Sequence, residues 1–331
     1  MAEPAGRRGA AAVTAAGDVD LSVIIPCHNA APTIGQAVAS VLEQAGLPAD
    51  FELEIVIADD RSDDGATPAV LAELARRHPQ VKVVGNDGAR GPGPARNCAV
   101  RHARGRWLAF LDADDWWLPD SLARRWALLA ANDEARWVTG DFRLVFEDRD
   151  GEVRDVALSQ RPAYAQAQPV SGGLRLPQPV AAIVAERVVV NPSSVIVQRA
   201  LFEQVGGFDE RFFNAEDVHL WLRLARQTDL YHVAAILTAY RQRAGSETNS
   251  GKPPGLWDVR VYRDLHARGE FAPWRPALAA GIANRSLLDV RHYRRLGQHG
   301  KALAAGARGL RHAPGDGRLW RALVGSLLRR D

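Results

Sequence analysis

The chain has 331 residues, 47% of them hydrophobic, with a formal net charge of +3, enough for one large globular domain with an appendage or for two domains. No window reaches the roughly 18 consecutive apolar residues of a membrane-spanning helix, and the Ala-rich start lacks the apolar run of a signal peptide. Cys27 and Cys98 give neither a disulfide framework nor a metal-ligand spacing, as expected of a protein kept in a reducing cytoplasm, and 15 basic against 6 acidic residues make 255–331 strongly positive.

Residues 1–19 lack periodicity and read as a disordered lead-in. Next come a strand over 21–26, a helix over 33–45 with Thr33 as N-cap, a strand over 54–58, a helix over 67–78 with Pro68 in its first turn, and a strand over 81–85. This is the βαβαβ pattern of a mostly parallel sheet. A helix over 94–103 leads into a strand over 107–111, a helix runs over 119–131, and 136–146 alternates as another strand. Residues 147–180, rich in Pro, Gln, Gly and Ser, read as a long loop with one short helix at most. An apolar stretch over 188–190, a short strand over 194–198 and a helix from 199 follow, ending at Val205-Gly206-Gly207-Phe208-Asp209. Glu216-Asp217 opens a helix continuing over 220–226. Residues 246–256 read as a linker, and the remainder as helices over 257–267, 275–292, 293–312 and 319–330. The expected organisation is a tail (1–19), an α/β domain (20–245), the linker, and a helical subdomain (257–331).

Asp112, Asp114 and Asp115 follow an apolar strand of the kind buried inside a sheet, and ligands bind beyond the carboxyl ends of such strands. Two readings stand there: a site for a hard divalent cation, or a solvated Asp-rich turn. Three further segments belong to the same sheet edge: Pro26-Cys27-His28-Asn29, Asp59-Asp60-Arg61-Ser62 and Gly91-Pro92-Gly93-Pro94-Ala95-Arg96-Asn97. Cys27 reads as a small buried residue, because no partner base is evident. Glu216 reads equally as a helix cap or as part of a catalytic pair.

In order and spacing, these segments over residues 20–245 resemble the inverting glycosyltransferases of family 2, whose GT-A fold is the Rossmann-like α/β fold of nucleotide-diphosphosugar transferases. The resemblance implies that Pro26, His28 and Asn29 line the nucleotide pocket, that Asp59 or Asp60 accepts a hydrogen bond from the base, and that Arg96 lies near the diphosphate. An anionic acceptor favours an imide base, hence a UDP- or dTDP-sugar. Asp112 and Asp114 match the Asp-x-Asp that holds Mg²⁺ or Mn²⁺, Asp115 is a neighbouring contact, and Asp217, beside Glu216, is the general base. Tyr240-Arg241 is followed by Gln242 and Arg243 where many relatives place a histidine, leaving Arg241 or Arg243 for the diphosphate. The processive Gln-x-x-Arg-Trp signature is missing, although Trp221 and Arg223 lie nearby, so transfer of single sugars is implied.

The implied partners are a nucleotide-sugar donor and a glycan, lipid-linked or small-molecule acceptor, with no nucleic acid, and the implied setting is the cytoplasm or the inner face of its membrane. Acceptor contacts are expected from 147–180 and 191–223. The rival functions are a sugar-nucleotide pyrophosphorylase, from a loose Gly-x-Gly-x-x-Arg match at 91–96, and a non-catalytic sugar-binding module. His219 reads as solvated or acceptor-facing, and Trp116-Trp117 as a sugar platform or as packing. Leu296, Leu303, Ala307, Leu310, Leu319, Leu323, Leu327 and Leu328 give apolar faces beside arginines, which suit a packed helical subdomain first and a membrane-surface contact second.

Overall fold

The structure is a computed structural model and describes residues 19–149, 151–186, 190–242 and 252–328. The tail through residue 18, the apolar pair 188–189, Arg243 and the linker through 251 lie outside the described residues.

β1 (Leu21–Cys27), α1 (Ile34–Leu42), β2 (Leu53–Asp59), α2 (Thr67–Arg77), β3 (Val81–Gly85), α3 (Pro92–His102) and β4 (Trp107–Phe110) follow the expected alternation. β1 lies between β2 and β4 with all three parallel, and helices cover it on both faces. Period-two side-chain direction splits it: Val23 and Ile25 share a buried cluster with Ile34 and Val38 of α1, while Ile24 belongs to the other cluster with Ala95 and Ala99 of α3. Thr33 precedes α1 without capping it, because its hydroxyl donates to the Ala30 carbonyl at 3.4 Å.

The second half comprises β5 (Trp116–Trp117), α4 (Ser121–Ala131), β6 (Trp137–Phe146), β7 (Glu152–Val156), β8 (Gln168–Val170), β9 (Gly173–Leu176), α5 (Val180–Ala185), β10 (Ile196–Gln198), α6 (Arg199–Gln204), α7 (Glu216–Ala225) and β11 (Leu230–Gln242). The strand order is β3-β2-β1-β4-β10-β6-β11-β9-β8, with β5 added to β11 and β7 to β6. β10 runs antiparallel to β4 and β6 and so interrupts the parallel run β3-β2-β1-β4, while β6 and β11 pair parallel again beyond it. Segment 147–180 is not a loop: it supplies three short strands, of which β7 pairs β6 from Phe142↔Val156 to Phe146↔Glu152. The 13-residue β11 carries no local mark of a strand in the sequence. Register shifts between Val233 and Thr238 break its alternation, and its stability comes from pairing with β6.

α8 (Leu256–Ala267), α9 (Arg275–Arg295), α10 (His299–Leu310) and α11 (Gly317–Leu327) complete the chain. The helix expected over 293–312 is broken at Gly297, whose φ of 68° lets the chain leave α9. α8 and the first half of α9 (Val259, Tyr262, Leu265, Leu278, Ile282) belong to the same buried cluster as Ile24 and Trp137. The second half of α9 forms a separate small core with α10 and α11. No helix among the described residues is long and apolar enough to cross a membrane.

Candidate active site

A cavity of about 830 Å³ opens beyond the carboxyl ends of β1 and β4 and collects Pro26, His28, Asn29, Asp60, Arg96, Asp112, Asp114, Glu216 and Asp217. Asn29 holds two walls together. It adopts φ 50°, donates to Asp63 at 2.8 Å, and accepts from the backbone N–H groups of Asp63 and Asp64 at 2.9 and 3.1 Å. His28 Nδ1 lies 3.1 Å from the Asp60 carbonyl. Of the two acids after β2, Asp60 faces the cavity. Its carboxylate accepts from Asn86 and from the Gly91 N–H, both at 2.7 Å, and so sets the loop that starts α3. Asp59 instead closes its own turn on Ser62, at 2.6 Å.

Arg96 projects from α3 and is 3% exposed. It donates to Glu216 at 2.8 Å and to Asp112 at 2.5 Å, joining the acid loop after β4 to the first turn of α7. Close approach of α3 to α7 needs Gly93, where a Cβ would lie 3.2 Å from the Glu216 side chain. Burial opposes a charged guanidinium, but Asp112 and Glu216 outweigh it and hold Arg96 above its ordinary pKa. Burial, then the neighbouring Asp217, push Glu216 up to about 7 against the pull of Arg96. Burial likewise raises Asp217, whose carboxylate accepts from the Val218 N–H at 2.7 Å. Glu216 does not cap α7, since the cap position is Ala215 in a left-handed conformation (φ 58°), a strained geometry for a residue in a cavity wall.

Asp112 and Asp114 both line the cavity and present oxygen donors only, a set that fits a hard divalent cation whose remaining ligands come from a diphosphate. Asp115 turns away. It is 1% exposed, accepts from Ser193 Oγ at 2.5 Å and from the Arg241 N–H at 3.0 Å, and is raised well above the carboxylate range by burial and then by Asp112 and Asp114. Ser193 also accepts from the Asp112 N–H at 3.1 Å, so one hydroxyl fixes the whole acid loop. Ser193 lies in the segment assigned to the acceptor side, and its sequence neighbours carry no sign of this role.

Arg241 departs from its expected place. Its guanidinium donates to the Asp114 carbonyl at 2.8 Å, to Gln36 at 2.5 Å and to Glu147, and lies 4.8 Å from the Trp116 ring, outside the cavity lining. Trp117 is 2% exposed and donates to the Ser193 carbonyl at 2.7 Å, so the tryptophan pair packs the acid loop onto β11. Trp221 is buried, and Arg223 binds the carbonyls of Val205 and Gly207 at 2.6 and 2.5 Å. Burial, then Asp59, push the Cys27 thiol up to about 12, which keeps it protonated.

His219 is fully buried, stacked on Phe212 at 4.6 Å, with Nε2 3.2 Å from Asp264. Asp209, His219 and Asp264 have the spacing of a metal cluster. Arg211 and Arg268 already neutralise both carboxylates, so the group works as an ion-pair knot tying α7 to α8.

The far wall is built by β6, β7 and β11. Phe142, Leu144, Val156 and Tyr240 form an apolar surface, with Arg154 and Arg161 at the cavity lining beside it. Neither arginine stands out in the sequence, because nothing within 147–180 marks β7 as the partner of β6.

A parallel α/β half, a mixed second half and an acid-lined cavity at the strand ends together define the GT-A class of nucleotide-diphosphosugar transferases. The family model described as Glycosyl transferase family 2 matches residues 22–172. That match spans a little under half of the chain, and with the relatives and solved structures that follow it supports an enzyme of the glycosyltransferase class. It is 43% identical over 105 residues to the succinoglycan biosynthesis protein ExoO of Rhizobium meliloti, a match spanning 32% of this chain and only 28% of that protein. It is 28% identical over 247 residues to the Escherichia coli UDP-Glc:alpha-D-GlcNAc-diphosphoundecaprenol beta-1,3-glucosyltransferase WfgD, covering 73% and 85% of the two chains. Among solved structures, the S. aureus TarS fragment in complex with UDP-GlcNAc superposes with a TM-score of 0.62 at 15% identity over 94% of this chain and 93% of that one. The mannosyltransferase PcManGT from Pyrobaculum calidifontis, in complex with GDP-Man and Mn²⁺, gives 0.59 at 21% identity over 96% and 91%.

Proposed function

We propose that the chain transfers single sugars, with inversion, from a UDP- or dTDP-sugar to an acceptor hydroxyl in the synthesis of a polysaccharide or glycolipid. The observation that carries this is the Asp112–Arg96–Glu216 bridge, which brings a diphosphate-type acid loop and a carboxylate pair of raised proton affinity into one cavity. In this reading Pro26, His28, Asn29 and Asp60 surround the nucleotide. Arg96 offers the diphosphate a planar fork of donors. Asp217 takes the acceptor hydroxyl's proton as its oxygen bonds to the anomeric carbon, while the bond from that carbon to the diphosphate breaks and the pair of electrons leaves with the nucleotide. Mg²⁺ or Mn²⁺ held by Asp112 and Asp114 would supply charge neutralisation for that leaving group.

Arg154 and Arg161 on an apolar wall suit an acceptor with an anionic group, as lipid-linked acceptors have, which supports a reading in which the enzyme works at the inner face of a membrane. The pyrophosphorylase reading gains nothing, because the Gly91–Arg96 loop follows β3 and abuts α7. Thermal-shift titration with nucleotide diphosphates and their sugars, with and without Mn²⁺, tests the donor assignment. Stabilisation by a uridine or thymidine diphosphosugar that Asp114→Ala weakens is the expected result, and indifference to every donor would overturn it.

A further inference from the structure

α11 packs in an unusual sense. Its inward positions are Leu319, Ala322 and Ser326, with Leu323 packed beside them, while four large apolar side chains point outward: Trp320 is 53% exposed, Val324 51%, Leu327 66% and Leu328 56%. Spaced i, i+4, i+7 and i+8, these four form one stripe along the helix. Leu296, 56% exposed at the end of α9, belongs to the same corner of the molecule, because the Arg294 guanidinium lies over Gly325 in α11. Seven large hydrophobic side chains are exposed among the described residues, and five of them are here, so this patch is not the scatter any surface shows.

What surrounds the patch selects its occupant. Arg318 and Arg321 follow the stripe on one side of α11, Arg294 and Arg295 border it from α9, and segment 255–331 carries 15 basic against 6 acidic residues. A second copy meeting this face about a twofold axis would bring that positive charge against itself. An anionic lipid surface meets both needs, taking apolar side chains below its headgroups and arginines among its phosphates, with tryptophan favoured at the boundary. The Trp320 indole donates to the Pro314 carbonyl at 2.8 Å, so its polar edge is satisfied within the protein and its ring is fixed on the outer face.

We propose that the outer face of α11, with Leu296, is a docking surface for anionic membranes, distinct from the catalytic cavity and holding the enzyme at the bilayer in parallel with it. Lipid vesicles are the probe, and no nucleotide sugar enters the assay, so it stands apart from the transferase reading. The full chain should co-sediment with vesicles of phosphatidylglycerol in phosphatidylcholine, several-fold less with phosphatidylcholine alone, and less in high salt. Trp320→Ser with Leu327→Ser should weaken binding by about tenfold or more, and Arg321→Glu by about fivefold, with unchanged melting temperatures because all three side chains are exposed. Equal vesicle binding by wild type and variants overturns the proposal, as does no binding by a monomeric wild type. A concentration-dependent dimer that Leu327→Ser dissolves overturns it in favour of a second copy.

Discussion

Asp217 and Glu216 meet two opposed demands. Burial gives a carboxylate the proton affinity a base needs, and the same burial makes its ionised form costly to the fold. Both groups are shifted upward, so the transfer rate should rise with pH through neutrality as the pair loses its proton, which initial rates between about pH 5 and 9 would show. Stability runs the other way. A carboxyl raised in the folded state stabilises fully below its unfolded value, and that contribution is lost as pH climbs through the folded one, a window from 4.5 to about 7 for Glu216. Asp217→Asn should therefore melt above wild type at about pH 8 and beside it at about pH 5, while transfer falls by roughly 10²–10⁴-fold with donor binding retained. A near-normal rate would remove Asp217 from the base role. Arg96→Ala leaves Glu216 buried without its counter-ion and should cost about 3–5 kcal/mol, read from the urea midpoint. At this scale the sequence shows which acids cluster but not which way they face. Asp115 looks equivalent to Asp114 until Ser193 and Arg241, 78 and 126 residues away, claim both of its oxygens. Arg241 likewise reads as a phosphate ligand until Gln36 and Glu147 take its guanidinium.

The elements divide by how much of their signal is local. β1 to β4 and their helices are legible because β1, β2 and β4 are apolar on both faces and each crossover is punctuated by Pro or Gly. β7 to β9 are short, and β7 and β8 are largely exposed, so Glu152–Val156 carries no alternation to detect, and it becomes a strand only because β6 offers an edge. The consequence is functional, since β7 carries Arg154 to the cavity and the turn beyond it carries Arg161. If these arginines receive an anionic acceptor, Arg154→Ala and Arg161→Ala should each raise the KM for that acceptor by about tenfold and leave the KM for the donor unchanged, since a hydrogen bond to a charged group contributes about 1.5–3 kcal/mol. Arg161 also lies 3.8 Å from Glu186, so a fall in stability without a change in acceptor KM would assign it to the fold instead.

Across the whole molecule, the position of the core matters more than the linker expected over 246–256. Seven side chains of the C-terminal region, Val259, Val261, Tyr262, Leu265, Phe271, Leu278 and Ile282, are at most 1% exposed and share their cluster with Ile24, Trp137 and Trp221 of the sheet domain. α8 packs on α7, which bears Glu216 and Asp217, and the Asp209–His219–Asp264 knot crosses the same boundary. Burying such a side chain contributes roughly 1.5–3 kcal/mol, so the seven together account for at least about 10 kcal/mol of hydrophobic stabilisation, the order of a whole domain's net stability. Cutting the chain before Leu256 also releases the ordering cost of the lost helices, but it leaves the apolar sides of α5 and α7 facing water. That truncation should yield insoluble or dye-binding protein without a cooperative melt. Ending the chain at Gly297 keeps α8 and α9 with their share of the main core and removes α10 and α11, which uncovers only the small cluster of Ala283, Leu287 and Val290 on the second half of α9. The product should melt cooperatively and transfer to a soluble acceptor while losing its affinity for anionic vesicles. A soluble, cooperatively melting chain ending before Leu256 would mean that α8 and α9 form a domain of their own.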